Sequence, residues 1–125
     1  MGVRVIDLGR DDRSEECDWW NWRPTVALLR ASGVLDDLQL VTLDLGVGEV
    51  SERQARAVAR FLEERVFPAL EPNERVMLDG AVTAGPDDGT FHREPSEVLK
   101  NYSASGEWLR RFAAFCRECG GFSVR

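Results

Sequence analysis

Three of the four tryptophans fall within four consecutive residues, in the stretch Asp18-Trp19-Trp20-Asn21-Trp22-Arg23-Pro24. Neighbouring side chains point to opposite faces of a strand and lie about 100° apart on a helix, so Trp19 and Trp20 cannot serve one core direction. A buried indole hides roughly 150–250 Å² and needs an acceptor for its N–H. Asp18 and Asn21 are the nearest candidates. Arg23 can lay its guanidinium on an indole face, and Pro24 suits the first residue of a helix. The stretch is then either a plug that closes one end of the core or a surface on which Trp19, Trp20, Trp22 and Arg23 form contacts, as Trp and Arg do at interface hot spots.

The chain has 125 residues, 43% hydrophobic and 30% charged, which indicates one folded domain spanning residues 1–125. Its formal net charge is −6. Duplex DNA, RNA and anionic membrane surfaces call for clustered positive charge, so neither nucleic acid nor membrane is an expected partner. An acidic protein that uses charge to guide association favours a basic partner. Residues 10–18 and 71–97 carry excess acid and residues 99–125 excess base. The basic segment is therefore expected to pair within its own domain. No apolar run approaches the roughly 20 residues needed to span a bilayer, and three cysteines make an odd number. Both point to a cytoplasmic, reducing setting.

In chain order, Val3–Gly9 reads as a strand ended by glycine and residues 10–17 as an acidic loop. Arg23–Ser32 is a short helix opened by Pro24 and stopped by Gly33. Residues 34–48 are ambiguous. Leu38–Leu45 has leucine on both alternating faces, which suits a central strand or a buried helix, and the bounding Gly46 and Gly48 favour the strand. Ser51-Glu52-Arg53-Gln54 has capping-box spacing and opens a helix to Phe67 with Ala55, Val58, Ala59, Leu62 and Val66 on its apolar stripe. Arg75–Asp79 reads as a strand that Ala81–Thr83 continues past a bulge. Gly85–Gly89 is a turn, and residues 84–101 form a long connection carrying His92. Ser103 or Ser105 caps a helix over 106–119, and Phe122–Val124 is a short last strand.

Cys116-Arg117-Glu118-Cys119 is a CxxC which, with Cys17 and His92, completes a Cys3His set of the kind that holds zinc. The cysteines also extend the apolar stripe of Trp108, Leu109 and Phe112, and free cysteine is among the most buried residue types, so no metal is expected. A redox CxxC opens a helix, where the dipole lowers the thiol pKa, whereas this one closes a helix. His92 with Asp87, Asp88 and Glu94 offers acid–base groups, without a nucleophile motif beside them. Gly46-Val47-Gly48 lacks the rest of any phosphate-binding loop, and no cofactor is expected.

These readings combine into an α+β domain: a small mixed or antiparallel sheet packed mainly on one face by two or three helices. The expected role is non-enzymatic, the binding of another protein, with a homodimer through the same patch as a variant. Small size, acidity and exposed aromatics match the general profile of immunity proteins and of small bacterial or phage regulators, an analogy of profile only. The alternative is a small-molecule-binding or hydrolytic domain whose pocket lies between the tryptophan stretch and the loop bearing His92, Arg93 and Tyr102.

Overall fold

The computed structural model describes residues 2–84 and 91–125. The turn expected at 85–89, with Asp87 and Asp88, lies outside the described residues. The fold is α+β, with four α-helices and two small antiparallel sheets. Strands β1 (Gly2–Asp7), β2 (Ser14–Asp18), β3 (Gly48–Val50) and β7 (Phe122–Val124) form one sheet in the order β2-β1-β7-β3. Strands β4 (Arg75–Met77), β5 (Val82–Thr83) and β6 (Ser103–Ser105) form the other in the order β5-β4-β6. The helices are α1 (Trp19–Ser32), α2 (Asp37–Asp44), α3 (Glu52–Phe61) and α4 (Gly106–Glu118).

Local chemistry explains each helix start. Ser51 accepts from the Gln54 N–H, and the Gln54 side chain answers to the Ser51 N–H, as the spacing predicts. The α-helix then passes at Leu62 into a π-helical turn, and Pro68 sits in the short 3-10 turn that ends it. Ser105 caps α4 by accepting from the Trp108 N–H. Helix α1 begins earlier than expected. Asp18 accepts from the Asn21 N–H, so the helix opens at Trp19 and Pro24 lies inside it. Proline at that position cannot donate to the carbonyl four residues back, so the helix runs one bond short.

The stretch 38–44 is helix, not strand, and Leu45 caps its end. Asp36 accepts from the Gln39 N–H at 2.7 Å and Gln39 returns a bond to the Asp36 N–H at 3.1 Å, a second capping box. Gly46, expected to bound a strand, instead turns the chain after α2 with φ of 79°. A Cβ there would stand 2.6 Å from the Trp19 ring, so both the backbone and the close approach call for glycine. Residues 14–17, expected as part of a 10–17 loop, form with Asp18 the edge strand β2, paired with β1 from Gly2↔Asp18 to Ile6↔Ser14. Residues 81–83 do not continue β4 past a bulge. They fold back on it as a hairpin, with Met77 N–H donating to the Ala81 carbonyl at 2.7 Å.

Val3 and Val5 of β1, Val50 of β3, and Phe122 and Val124 of β7 join the helices in one core. Phe112 of α4 is fully buried at its centre. Its ring stacks on Trp108 at 5.4 Å and meets Trp22 and Phe122 edge-on at 6.2 and 5.9 Å. One side chain thus connects α1, α4 and β7. Phe112→Ala should lower stability by about 3–5 kcal/mol, read as the shift of the urea midpoint; a midpoint that hardly moves would remove α4 from the core.

Asp7, 3% exposed, ends β1. One carboxylate oxygen accepts from the N–H groups of Gly9 and Gly120, at 2.8 and 2.9 Å. Burial pushes its carboxyl up, but the Gly120, Gly9 and Arg10 N–H donors and the Arg13 charge outweigh it, and the pKa falls below the ordinary 3.8. A carboxylate with a depressed folded pKa contributes stability above its unfolded pKa and loses it as pH falls through the folded value. Asp7→Asn should therefore cost about 1.5–3 kcal/mol near neutrality. The difference from the native chain should shrink below about pH 4, which urea melts at both pH values will show.

Candidate functional site

The tryptophan stretch sends each of its side chains to a different place. Trp22 is fully buried, and its indole N–H donates to the Leu43 carbonyl of α2 at 2.7 Å, not to Asp18 or Asn21. Trp19 is half-buried against Gly46. Asn21 reaches across to β6, its side-chain carbonyl accepting from the Ser105 N–H at 2.9 Å. Trp20 leaves the core and is 39% exposed. Its ring lies 4.9 Å from Tyr102 and 5.8 Å from Phe91, centroid to centroid. Arg23 lies over Tyr102 at 5.1 Å and not over an indole, with a 3.4 Å contact to the phenol oxygen. The fold therefore gathers Trp20, Arg23 and Tyr102 with Phe91, which sequence reasoning did not single out. It does not bring Trp19 or Trp22 to that group.

His92 occupies a different place. Asn101 holds the backbone on both sides, accepting from the His92 N–H at 2.7 Å and donating to the His92 carbonyl at 2.9 Å. The imidazole Nδ1 lies 3.7 Å from Glu97, which also pairs with Lys100 at 3.1 Å. The hydrogen bonds and charges of Lys100 and His92 hold the Glu97 carboxyl below its ordinary value against a small opposing desolvation. Arg93 is exposed. His92 lines a cavity of about 410 Å³ with Arg75, Met77, Leu99 and Lys100, and no tryptophan borders it. The pocket expected between the tryptophans and the His92 loop is thus two cavities. The other, about 250 Å³, is bordered by Asp18, Trp20, Asn21, Arg75, Ser105 and Glu107.

Cys17, His92, Cys116 and Cys119 are not brought together, and no group of three or more His, Cys, Asp or Glu with metal-holding geometry occurs among the described residues. Cys116 and Cys119 are core residues, and Cys17 lies half-buried on β2. Burial pushes the Cys116 and Cys119 thiols up. Burial, aided by Asp18, lifts Cys17 to about 12. All three favour the thiol form, which is a poor nucleophile and a poor metal ligand.

A further exposed apolar row lies elsewhere, on α2. Leu40 and Leu43 face the core, while Leu38, Val41 and Leu45 are 74%, 54% and 69% exposed. These three share one helical side at spacings of three and four, and Val47, 49% exposed, follows the helix. Asp36, Asp37 and Glu49 are exposed, Asp44 half-buried, and Arg30 approaches Asp44 at 3.7 Å. The clue was present in the sequence as Asp36-x-x-Gln39, which turns a leucine-rich strand into a helix with leucine on every side.

Among the described residues, no helix is long and apolar enough to cross a membrane. The chain matches no protein-family model, no curated protein and no solved structure.

Trp20 is the most exposed of the tryptophans, with Trp19 half-buried and Trp22 and Trp108 buried, so Trp20→Phe should remove most of the acrylamide-quenchable emission. Quenching that is undiminished by this change would mean that Trp20 is not the main exposed indole.

Proposed function

We propose that this chain acts by binding another protein, with the outer row of α2 as its principal contact surface. The observation that carries the reading is that α2 is apolar on both sides while only its inner side is covered. A surface helix normally carries one apolar side, the covered one. An apolar row at i, i+3 and i+7 is the pattern by which a helix docks into a groove of a partner. Acidic Asp36, Asp37 and Asp44 on the same short helix favour a basic partner. The cluster of Trp20, Phe91, Tyr102 and Arg23 is a second, smaller surface of hot-spot composition.

The test is a double variant, Leu38→Glu with Leu45→Glu. Both side chains are exposed, so stability should change little, by about 0.5 kcal/mol or less per site. A partner captured from the source cells by the native chain should be lost by the variant. Its association rate with the native chain should fall with added salt. Light scattering separates a partner of different sequence from a second copy of this chain. Capture that survives both glutamates, or a native chain that stays monomeric and captures nothing, overturns the reading. A small-molecule-binding role is the second reading, favoured by the cavity at Arg75.

A further inference from the structure

The β5-β4-β6 sheet has two unlike faces. Val76 and Ala104, paired across β4 and β6, are buried in the core. Alternation sends Arg75, Met77, Thr83, Ser103 and Ser105 to the other face. That face floors both cavities bordered by Arg75. The Arg75 guanidinium Nε and Nη1 are buried and have no hydrogen-bond partner among the described residues. Guanidinium has five donors, no acceptor and a fixed positive charge. Buried polar groups are almost always partnered, and a lone exception calls for a missing ion, water or ligand. The larger cavity, about 410 Å³, is bordered by Lys100 and His92, with Asp79 as the carboxylate among its described lining residues; Lys100 and His92 both face Glu97, at 3.1 and 3.7 Å. Asp79 already accepts from the Ala81 N–H. Met77, Leu78 and Leu99 supply apolar wall. Lys100 is paired with Glu97, so the Arg75 guanidinium is the charge bordering this cavity whose donors lack partners among the described residues.

We infer that this cavity binds a small organic carboxylate, its anionic group on Arg75 and its apolar part against Met77, Leu78 and Leu99. Arginine suits the role because its planar donors match a carboxylate, and the volume fits a fragment-sized molecule. The site is distinct from the outer row of α2, and neither proposal depends on the other.

Calorimetric titration with hexanoate tests the inference, with hexan-1-ol as the uncharged control, hexylammonium as the opposite charge and inorganic phosphate as the anion without an apolar part. Hexanoate should bind saturably and about tenfold or more tighter than hexan-1-ol, the weight of one charge-assisted hydrogen bond. Hexylammonium should not bind. Arg75→Met should erase the preference for hexanoate, and Lys100→Ala, an exposed change, should weaken it. Circular dichroism checks that each variant is folded. If Arg75→Met fails to fold, the comparison of hexanoate with hexan-1-ol on the native chain and on Lys100→Ala decides. Equal binding of hexanoate and hexan-1-ol, no saturation by hexanoate, or unaltered binding by folded Arg75→Met overturns the carboxylate site. Phosphate binding as tightly as hexanoate overturns the apolar half of the assignment.

Discussion

Gln39 and Gln54 each close a capping box and then bond to each other, Gln39 Nε2 to Gln54 Oε1 at 2.8 Å and Gln54 Nε2 to Gln39 Oε1 at 3.0 Å. Four hydrogen bonds from backbone N–H groups close the two caps, and the two between the amides join the starts of α2 and α3. Helix α2 has only eight residues, too few to be stable on its own. Its first turn is held by this amide pair and its last by the Trp22 N–H on the Leu43 carbonyl. Anchored at both ends, the helix has one rotation available. That rotation buries Leu40 and Leu43 and leaves Leu38, Val41 and Leu45 outside.

The crowding of large side chains at the start of α1 follows from the same geometry. A helix places successive residues about 100° apart, so Trp19 through Arg23 sample every side of the first turns. The chain exploits each direction. Trp22 enters the aromatic core, Trp19 rests on Gly46, and Asn21 ties α1 to the start of α4 through Ser105. Thr25 extends the link, its hydroxyl accepting from the Trp108 indole N–H at 2.9 Å while donating to the Asn21 backbone carbonyl. Trp20 faces outward with Arg23, and Tyr102 and Phe91 partly cover it. The two readings offered for the stretch, a core plug and an outward surface, describe different residues within it.

What the amino-acid order disclosed depended on how local the cause was. Ser51-x-x-Gln54, the α4 stripe and the final strand are local patterns, and they appear where expected. Asp36-x-x-Gln39 is equally local, yet leucines on alternating positions and two glycines argued for a strand, and cap chemistry decided otherwise. Strand β2 escaped because an edge strand of Ser, Glu and Asp has no apolar alternation; its pairing comes from β1. Strands β3 and β6 have three residues each, too short for periodicity to register. The burial of Arg75 results from β5 and β6 flanking β4 and from the 91–101 connection beside it, of which only β5 is near in sequence. Basic residues near the C-terminus do pair within the chain, as Arg111 with Glu15 and Arg117 with Glu63. Such exposed pairs add little stability.

Most of the chain obeys its local rules: helices are capped, apolar stripes are covered, and the indole N–H groups of Trp22 and Trp108 have acceptors. A sequence that specifies one structure agrees with itself at every level, and departures concentrate where something other than folding has set the residue. Two departures stand out. On α2, leucine and valine occupy positions where a surface helix ordinarily carries charge, so the row lowers solubility without adding to the core. On β4, Arg75 keeps two buried donors without acceptors among the described residues, where a neutral side chain would avoid the desolvation cost. The two differ in chemistry, one apolar and convex, the other cationic and concave. A single ligand would have to satisfy an exposed leucine row and a buried guanidinium at once. Separate occupants, a protein on α2 and a small anion at Arg75, match each departure with the contact that removes its cost.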